Sequence, residues 1–157
     1  MRTIKYRGKD EHGCWHVGWL VETNDGTIYI AENDEGWTDD GFHNDDFSGW
    51  YKVLEKTIGQ FTGLTDKNGE EIYEGDLVKY TRYKVHSEYL KKDVIENVYV
   101  VHWNEEKHAF YCTTKFESGG GASGYLNFHD ERAEKEEIEV IGNIHDNPEL
   151  LEGGNDE

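Results

Sequence analysis

The chain has 157 residues, of which 34 are acidic and 16 are basic, so its formal net charge is −18. A general surface with this excess of negative charge repels phosphate backbones, which makes nucleic acid an unfavourable partner. Hydrophobic residues make up 35 % and aromatic residues 13 % of the chain. This balance indicates a folded protein whose economical core depends on large rings.

Two cysteines, Cys14 and Cys112, occur without a CxxC motif. Neither a zinc ribbon nor a disulfide scaffold is indicated, and both residues are interpreted as buried free thiols. No basic-then-apolar leader and no apolar run of about 18 residues is present. We therefore expect no secretion signal, no membrane contact and a cytoplasmic protein.

The first third of the chain has the pattern of a β-hairpin. Trp15–Val21 and Thr27–Ile30 are rich in aromatic and β-branched residues, and the Asp25-Gly26 pair between them is a strong turn signal. Glu32–Asp46 then contains seven acidic residues and no Lys or Arg. Like charges at this density predict an exposed loop.

Strand patterns continue through the middle of the chain. Strands are predicted at Trp50–Leu54, Ile58–Phe61, Glu71–Tyr73 and Asp76–Tyr83, with a primed turn at Asn68-Gly69. Lys84–Asp93 stays open between one short helix and a long mobile connection.

The clearest hairpin is formed by Val94–Trp103 and His108–Thr114, around a turn at 104–107. Val94–Trp103 is apolar on both faces, so a central strand is predicted. The remaining predicted elements are a flexible loop at Ser118–Gly124, one or two helical turns at Asp130–Glu137, a strand at Glu139–Ile144 and a helix start at Asn147–Leu151.

Together these patterns predict a mainly β fold, a β-rich α+β class with short helices. Sandwiches and half-open barrels are the architectures that suit many short strands. One domain is expected over residues 1–151, followed by a frayed acidic tail at 152–157.

The segment QFTGLTDKNGEEIYEGDLVKY at Gln60–Tyr80 resembles the signature of the YopX family of phage and prophage proteins. The resemblance extends upstream through Glu55–Gly59 and resumes at Ile141–Leu151. The start, Ile4–Lys9, and the segment Trp15–Leu20 are also similar to the family.

The resemblance implies a bifurcated β-sheet or half-open barrel with accompanying helices, and homo-oligomers in a bacterial host. It implies no activity and carries over no catalytic residues. Read by itself, Gln60–Tyr80 is a strand–turn–strand unit, in which Thr62, Asp66 and Asp76 suit bonding to exposed turn amides. The segment is therefore interpreted as scaffold.

No motif assigns catalytic, cofactor-binding or metal-binding residues, and we predict none. His102 and His108 flank a predicted turn beside Glu105 and Glu106, but a zinc site needs three or four converging ligands. Cys112 and His108 would lie about 13 Å apart on one strand, too far for a thiolate–imidazolium pair.

The remaining candidate groups also lack the pattern of a site. The Asp39-Asp40 and Asp45-Asp46 pairs lack the spacing of a calcium loop, and Ser48 and Ser123 have no defined base. A set of aromatic residues could stack on bases, although core and subunit-interface packing is favoured: Trp15, Trp19, Tyr29, Trp50, Tyr51, Phe61, Tyr73 and Tyr80.

The favoured function is a non-enzymatic, homo-oligomeric phage or prophage accessory protein that binds a host or phage protein. One alternative is an acidic mimic that occupies a host DNA-binding protein, suggested by Glu32–Asp46 and by the eleven acids of His129–Glu157. Another is a small-barrel nucleic-acid binder that uses the basic residues of Lys79–Lys92.

Overall fold

The computed structural model describes residues 4–32, 37–38, 41–42, 49–86, 91–113, 123–125 and 135–151. Within these ranges the chain forms strands and two short 3-10 helices, Glu55–Thr57 and Pro148–Leu151. The strands are β1 (Tyr6–Lys9), β2 (Trp15–Glu22), β3 (Ile28–Ala31), β4 (Trp37–Thr38), β5 (Gly41–Phe42), β6 (Trp50–Lys52), β7 (Gly59–Thr65), β8 (Glu71–Tyr73), β9 (Asp76–His86), β10 (Lys91–Asn104), β11 (Ala109–Thr113), β12 (Ser123–Tyr125) and β13 (Lys135–Asn143). The prediction of a mainly β fold is confirmed.

The chain divides into two compact units, Met1–Gly63 and Leu64–Glu157. Compact units can be parts of one folding domain, so the expectation of a single domain over residues 1–151 stays a prediction. The predicted tail at 152–157 lies outside the described residues.

The first unit is an antiparallel sheet with the strand order β6-β3-β2-β1-β7. Strand β2 changes partner along its length: Trp15–Gly18 pairs with β1 and Trp19–Glu22 pairs with β3. At the changeover, a Cβ on Gly18 would collide with the backbone carbonyl of Ala31. Glycine permits this close approach, which explains its place inside an aromatic run.

The second unit is a five-stranded antiparallel sheet with the order β12-β11-β10-β9-β13. Strand β10 pairs with β9 on one edge and β11 on the other, so the predicted central strand is confirmed. One face carries the main core cluster: Ile72, Val78, Tyr80, Tyr99, Val101, Phe110 and Cys112.

In its described parts, residues 84–86 and 91–93, the segment Lys84–Asp93 is strand, so neither the short helix nor the long connection describes these residues. β9 continues to His86 and β10 begins at Lys91, with Lys84 opposite Asp93. The local pattern is weak because the pairing partner, and not the segment's own periodicity, holds it extended. Residues 87–90 lie outside the described part.

Two further predictions need correction. β13 begins at Lys135, so the last part of the predicted helical segment Asp130–Glu137 is strand, and β12 begins inside the predicted flexible loop at Ser123. Residues 118–122 and 130–134 lie outside the described ranges. The predicted helix at Asn147–Leu151 is present as a 3-10 turn.

The hairpin turns lie where the sequence places them, but the turn at Asn68-Gly69 is not of the primed type predicted. Asp66 N–H donates to the Glu70 carbonyl and Gly69 N–H to the Asp66 carbonyl, which closes a three-residue loop. Gly69 has φ +87°. Among the described residues the non-glycine with positive φ is His108, so Asn68 does not have a positive φ. Asn68 therefore cannot be the first residue of a type I′ turn, which needs positive φ at both centres.

The acidic segment Glu32–Asp46 falls mostly outside the described residues. Its described part contains the two-residue strands β4 and β5, which pair with each other. The two thiols differ in burial. Cys112 is buried as predicted. Cys14 is exposed because it follows a surface turn, so the prediction that Cys14 is buried was wrong. Burial raises the pKa of Cys112 to about 12.

Candidate functional site

A row of basic and aromatic side chains lies along one face of the first unit's sheet. Residues opposite each other in an antiparallel pair share a face, and Arg7 lies opposite Val17 while Lys9 lies opposite Trp15. Alternation along the strands brings Lys5 and Trp19 to this side. We call this surface the basic–aromatic strip; its members are Lys5, Arg7, Lys9, Trp15, Val17, Trp19 and Phe61.

Ring contacts position the cations of the strip. The Arg7 guanidinium carbon lies 4.8 Å and the Lys9 Nζ 5.4 Å from the centre of the Trp15 ring. Lys5 Nζ lies 4.9 Å from the centre of the Phe61 ring. A ring face attracts a cation and orients it. Three positive groups are thus lined up on one side of the sheet.

Some side chains of the strip are buried and others are exposed. Phe61 is buried and Trp15 is half-buried. Val17 and Trp19 are 41 % and 50 % exposed. Large apolar side chains exposed together mark contact surfaces.

The opposite face holds a histidine between two carboxylates. His16 Nε2 lies 3.1 Å from Asp10 Oδ2, and its Nδ1 lies 3.2 Å from Glu32 Oε1. The ring stacks on Tyr51 with centroids 3.7 Å apart. Both nitrogens are occupied, which favours a structural role over general-base chemistry.

Asp10 also closes the turn that joins β1 to β2. Its Oδ1 accepts from the backbone N–H groups of Cys14 and His12, at 2.8 and 2.9 Å. The N–H of Cys14, followed by the hydrogen bond from His16, lowers the pKa of Asp10 below its usual value. This carboxylate is engaged in holding the turn and the ring.

The segments that carry the family resemblance are used in the same structural way. Asp66 Oδ1 accepts from the N–H groups of Asn68 and Glu70, and Asp76 Oδ2 accepts from Tyr73 N–H at 2.7 Å. Near the C-terminus, Asn143 Oδ1 accepts from His145 and Asp146. The predicted scaffold role of Asp66 and Asp76 is therefore confirmed.

The segment Lys79–Lys92 was the basic region that the sequence singled out. Lys79 Nζ lies 3.3 Å from Glu139, whose other partner is Lys67 at 2.9 Å. The side chains of Lys84, Lys91 and Lys92 lie outside the description. Whether this segment is a binding surface stays a prediction, although the ion pair reduces the charge that Lys79 offers.

The histidines of the β10–β11 hairpin do not face each other. The residue opposite His102 is Tyr111, with ring centroids 6.5 Å apart, while His108 lies in the turn with φ 50°. In the described part of the chain, no group of three His, Cys, Asp or Glu side chains could hold a metal ion.

The aromatic residues weighed as a stacking platform do not form one surface. Tyr73 and Tyr80 belong to the second unit, and Trp50 and Phe61 are buried, as core packing predicts. Trp19 does not fit core packing, because half of its side chain is exposed. The cations beside it were missed in the sequence, although basic residues at every second position of Lys5–Lys9 could have indicated a charged strand face.

No helix in the described ranges is long and apolar enough to span a membrane. A comparison with curated proteins finds no match. Among solved structures the chain is similar to protein EF1440 of Enterococcus faecalis, at 22 % identity and a TM-score of 0.43, covering 96 % of this chain and 99 % of the other. A family model described as YopX protein matches residues 5–152.

Proposed function

Since the chain belongs to the YopX family, we propose that it is a non-enzymatic phage or prophage accessory protein that forms homo-oligomers. It acts in the host cytoplasm by binding a host or phage protein. The support for a binding role comes from strand β2.

The observation that best supports a binding role is that β2 exposes apolar side chains on both of its faces. Val17 and Trp19 point to one side and Leu20, which is 38 % exposed, points to the other. Trp15–Gly18 pairs with β1 and Trp19–Glu22 pairs with β3, and a strand within a sheet ordinarily buries at least one face. Exposed Ile4 and Leu54 add to the apolar surface of the same unit. A protein or a second copy that covers these groups would remove them from water.

The reactive side chains of the described residues support a non-enzymatic role. His16 uses both ring nitrogens on carboxylates. Cys112 is buried and its pKa is raised to about 12 by that burial, which keeps the thiol protonated and poorly nucleophilic. Asp66 and Asp76 are engaged with backbone amides.

The proposal is tested first by the oligomeric state. Light scattering at tens of micromolar protein should give a mass above that of one chain, 18.2 kDa. Leu20→Ser should lower that mass if β2 lies in the interface, whereas Lys107→Ser, at an exposed turn position, should leave it unchanged. A monomer throughout this range of concentration contradicts the homo-oligomer.

Partner binding is tested separately by affinity capture from phage-infected cells, with wild type and Leu20→Ser compared side by side. The expected result is one or a few proteins that the wild type retains and the variant loses. Equal recovery by both variants contradicts a role for β2 in partner binding.

A further inference from the structure

We propose that Asn68 is a site of spontaneous deamidation, at which the folded chain converts this side chain to aspartate or isoaspartate without an enzyme. This goes beyond the protein-binding function and does not depend on it. Asn68 is exposed and is followed by Gly69, the one place in the sequence where an asparagine precedes a glycine.

The reaction needs the Asn68 side chain, the backbone nitrogen of Gly69 and water. The Gly69 nitrogen loses its proton to solvent and forms a bond to Asn68 Cγ. The bond from Cγ to Nδ2 breaks, and ammonia leaves with a proton taken from solvent. Water then opens the resulting cyclic imide at either of its carbonyls, which gives aspartate or isoaspartate. The nitrogen lost as ammonia is thus replaced by oxygen from water, and nothing is oxidised or reduced.

The structure leaves the attacking nitrogen accessible. Gly69 has no Cβ, and nothing lies within 4 Å of the place that a Cβ would take. Asn68 Nδ2 lies 3.3 Å from Asp66 Oδ2, a long hydrogen bond that holds the amide loosely. Gly69 N–H donates to the Asp66 carbonyl at 3.0 Å and must be released for the reaction. Hydrogen bonds of exposed turns open more readily than those of the core, so this bond slows the reaction without preventing it.

Three turns of the chain close in the same way, which supplies a natural comparison. In each, the first residue is hydrogen-bonded to the fifth, and the fourth is a glycine that donates to the first: residues 10–14, 23–27 and 66–70. The three glycines have φ values of +85°, +81° and +87°. The residue before the glycine differs, being His12, Asp25 or Asn68. Histidine has no acyl group to be attacked, so Asp25 is the position to compare with Asn68.

Asp25 is a poor electrophile in its turn. Its Oδ1 accepts from the Thr23 hydroxyl and from Thr27 N–H. The hydrogen bond from Thr23, followed by that from Thr27, lowers the pKa of Asp25 below its usual value. The carboxylate is therefore ionised at neutral pH, and its negative charge resists attack by a nucleophile. The amide of Asn68 carries no such charge, which makes Asn68 the reactive position among these turns.

The product acts on the contacts that fasten β13. Asp66 Oδ2 accepts from Val140 N–H at 3.1 Å, and Lys67 N–H donates to the Ile138 carbonyl at 2.9 Å. A carboxylate at position 68 puts negative charge beside Asp66 in place of the Nδ2 donor, and like charges at this distance repel. Isoaspartate also adds a methylene to the backbone of this short loop, which strains the closure between Asp66 and Glu70. Modification therefore loosens β13 as the protein ages.

The test incubates the purified, folded protein at mildly alkaline pH, digests it at acid pH and follows the peptide that contains Asn68 by mass spectrometry. Because glycine has no Cβ beside its nitrogen, Asn68 should be converted at least about tenfold faster than Asn24, an exposed asparagine followed by Asp25. Electron-transfer fragmentation should show isoaspartate at position 68. Conversion of Asn68 that is no faster than that of Asn24 overturns the proposal.

A variant separates this modification from general ageing. Asn68→Gln keeps a neutral amide at the same exposed position, but glutamine must close a larger ring and does so more slowly. Aged wild type should have a lower urea midpoint than fresh wild type, and its Val140 amide should exchange hydrogen at least about threefold faster. Aged and fresh Asn68→Gln should be alike in both measurements. An equal change with age in both proteins, or no change in wild type that carries the modification, overturns the proposed effect on β13.

Discussion

The two units use the same residue types in different ways. In the second unit Lys67 and Lys79 meet the carboxylate of Glu139, and most large apolar residues cluster in one core, with Val94, Trp103 and Leu150 exposed. In the first unit the cations Arg7 and Lys9 lie over the Trp15 ring, and the apolar residues of β2 remain exposed. The exposed apolar residues of the second unit are spread along the chain, whereas Val17, Trp19 and Leu20 of the first unit lie close together on one strand, a surface suited to contact.

The largest effect should come from the core of the second unit. Phe110 is 7 % exposed and packs edge-on against Trp103 with centroids 5.1 Å apart. Phe110→Ala should reduce the free energy of unfolding by about 3–5 kcal/mol, measured by urea titration. Trp19→Ala in the first unit should cost less, about 1–2 kcal/mol, because half of that side chain is already exposed. Similar losses for both would remove the contrast between the units.

The next largest loss of stability is expected on substitution of Asp66, whose carboxylate is hydrogen-bonded to a distant strand. Its Oδ2 accepts from Val140 N–H at 3.1 Å, in addition to the two turn amides bound by Oδ1. Asp66→Asn removes charge and one acceptor, and should cost about 1–3 kcal/mol in a urea titration. Asp10→Asn, in the similar turn of the first unit, should cost less because that turn lacks a bond to a distant strand. A larger loss for Asp10→Asn would contradict this ranking.

Gly69 tests the turn itself. Nothing lies within 4 Å of an added Cβ, so its φ of +87° is the source of strain for a substitution. Gly69→Val should cost about 1–2 kcal/mol or more, because β-branched residues resist the left-handed region. Gly69→Asn should cost clearly less, since asparagine visits this region. Equal thermal stability of Gly69→Val and wild type would show that the turn interpretation is mistaken.

Acid should destabilise the protein through these turn carboxylates. Burial opposes ionisation of Asp66, but the N–H groups of Glu70, Val140 and Asn68 outweigh it, so its pKa lies below the usual value. A carboxylate whose pKa is depressed in the folded state stabilises that state above the unfolded pKa of about 3.9. This stabilisation is lost as the pH falls through the folded-state pKa. Urea midpoints measured from pH 6 to pH 2.5 should therefore fall for wild type. The slope should be shallower for Asp66→Asn; an unchanged slope assigns the acid effect to other groups.

The smallest effect is expected at the ion pairs of the second unit. The hydrogen bond between Lys67 and Glu139 is the main reason that the pKa of Lys67 is raised and the pKa of Glu139 is lowered. The two side chains remain 35 % and 29 % exposed, so solvent screens the pair and Glu139→Gln should lower the melting temperature only slightly. High salt should abolish the difference from wild type. A difference that persists in high salt indicates packing by the Glu139 side chain.

Local chemistry made much of the fold predictable. The β2–β3 hairpin, the turn at Asp66–Gly69, the central strand β10 and the short C-terminal turn all follow from nearby residues. The basic–aromatic strip could not be predicted in the same way. Lys9 and Trp15 are close in sequence, but Lys5 and Phe61 meet only because β7 lies beside β1.

The sequence by itself determined the family, the mainly β class and the positions of the hairpin turns, because each depends on neighbouring residues. Tertiary structure decided that residues 84–86 and 91–93 are strand, that Asp66 reaches Val140, and that His16 lies between Asp10 and Glu32. These outcomes depend on strand register, in which a shift of one residue turns every side chain to the other face. The energy that selects the register is shared among distant partners, so no local segment records it.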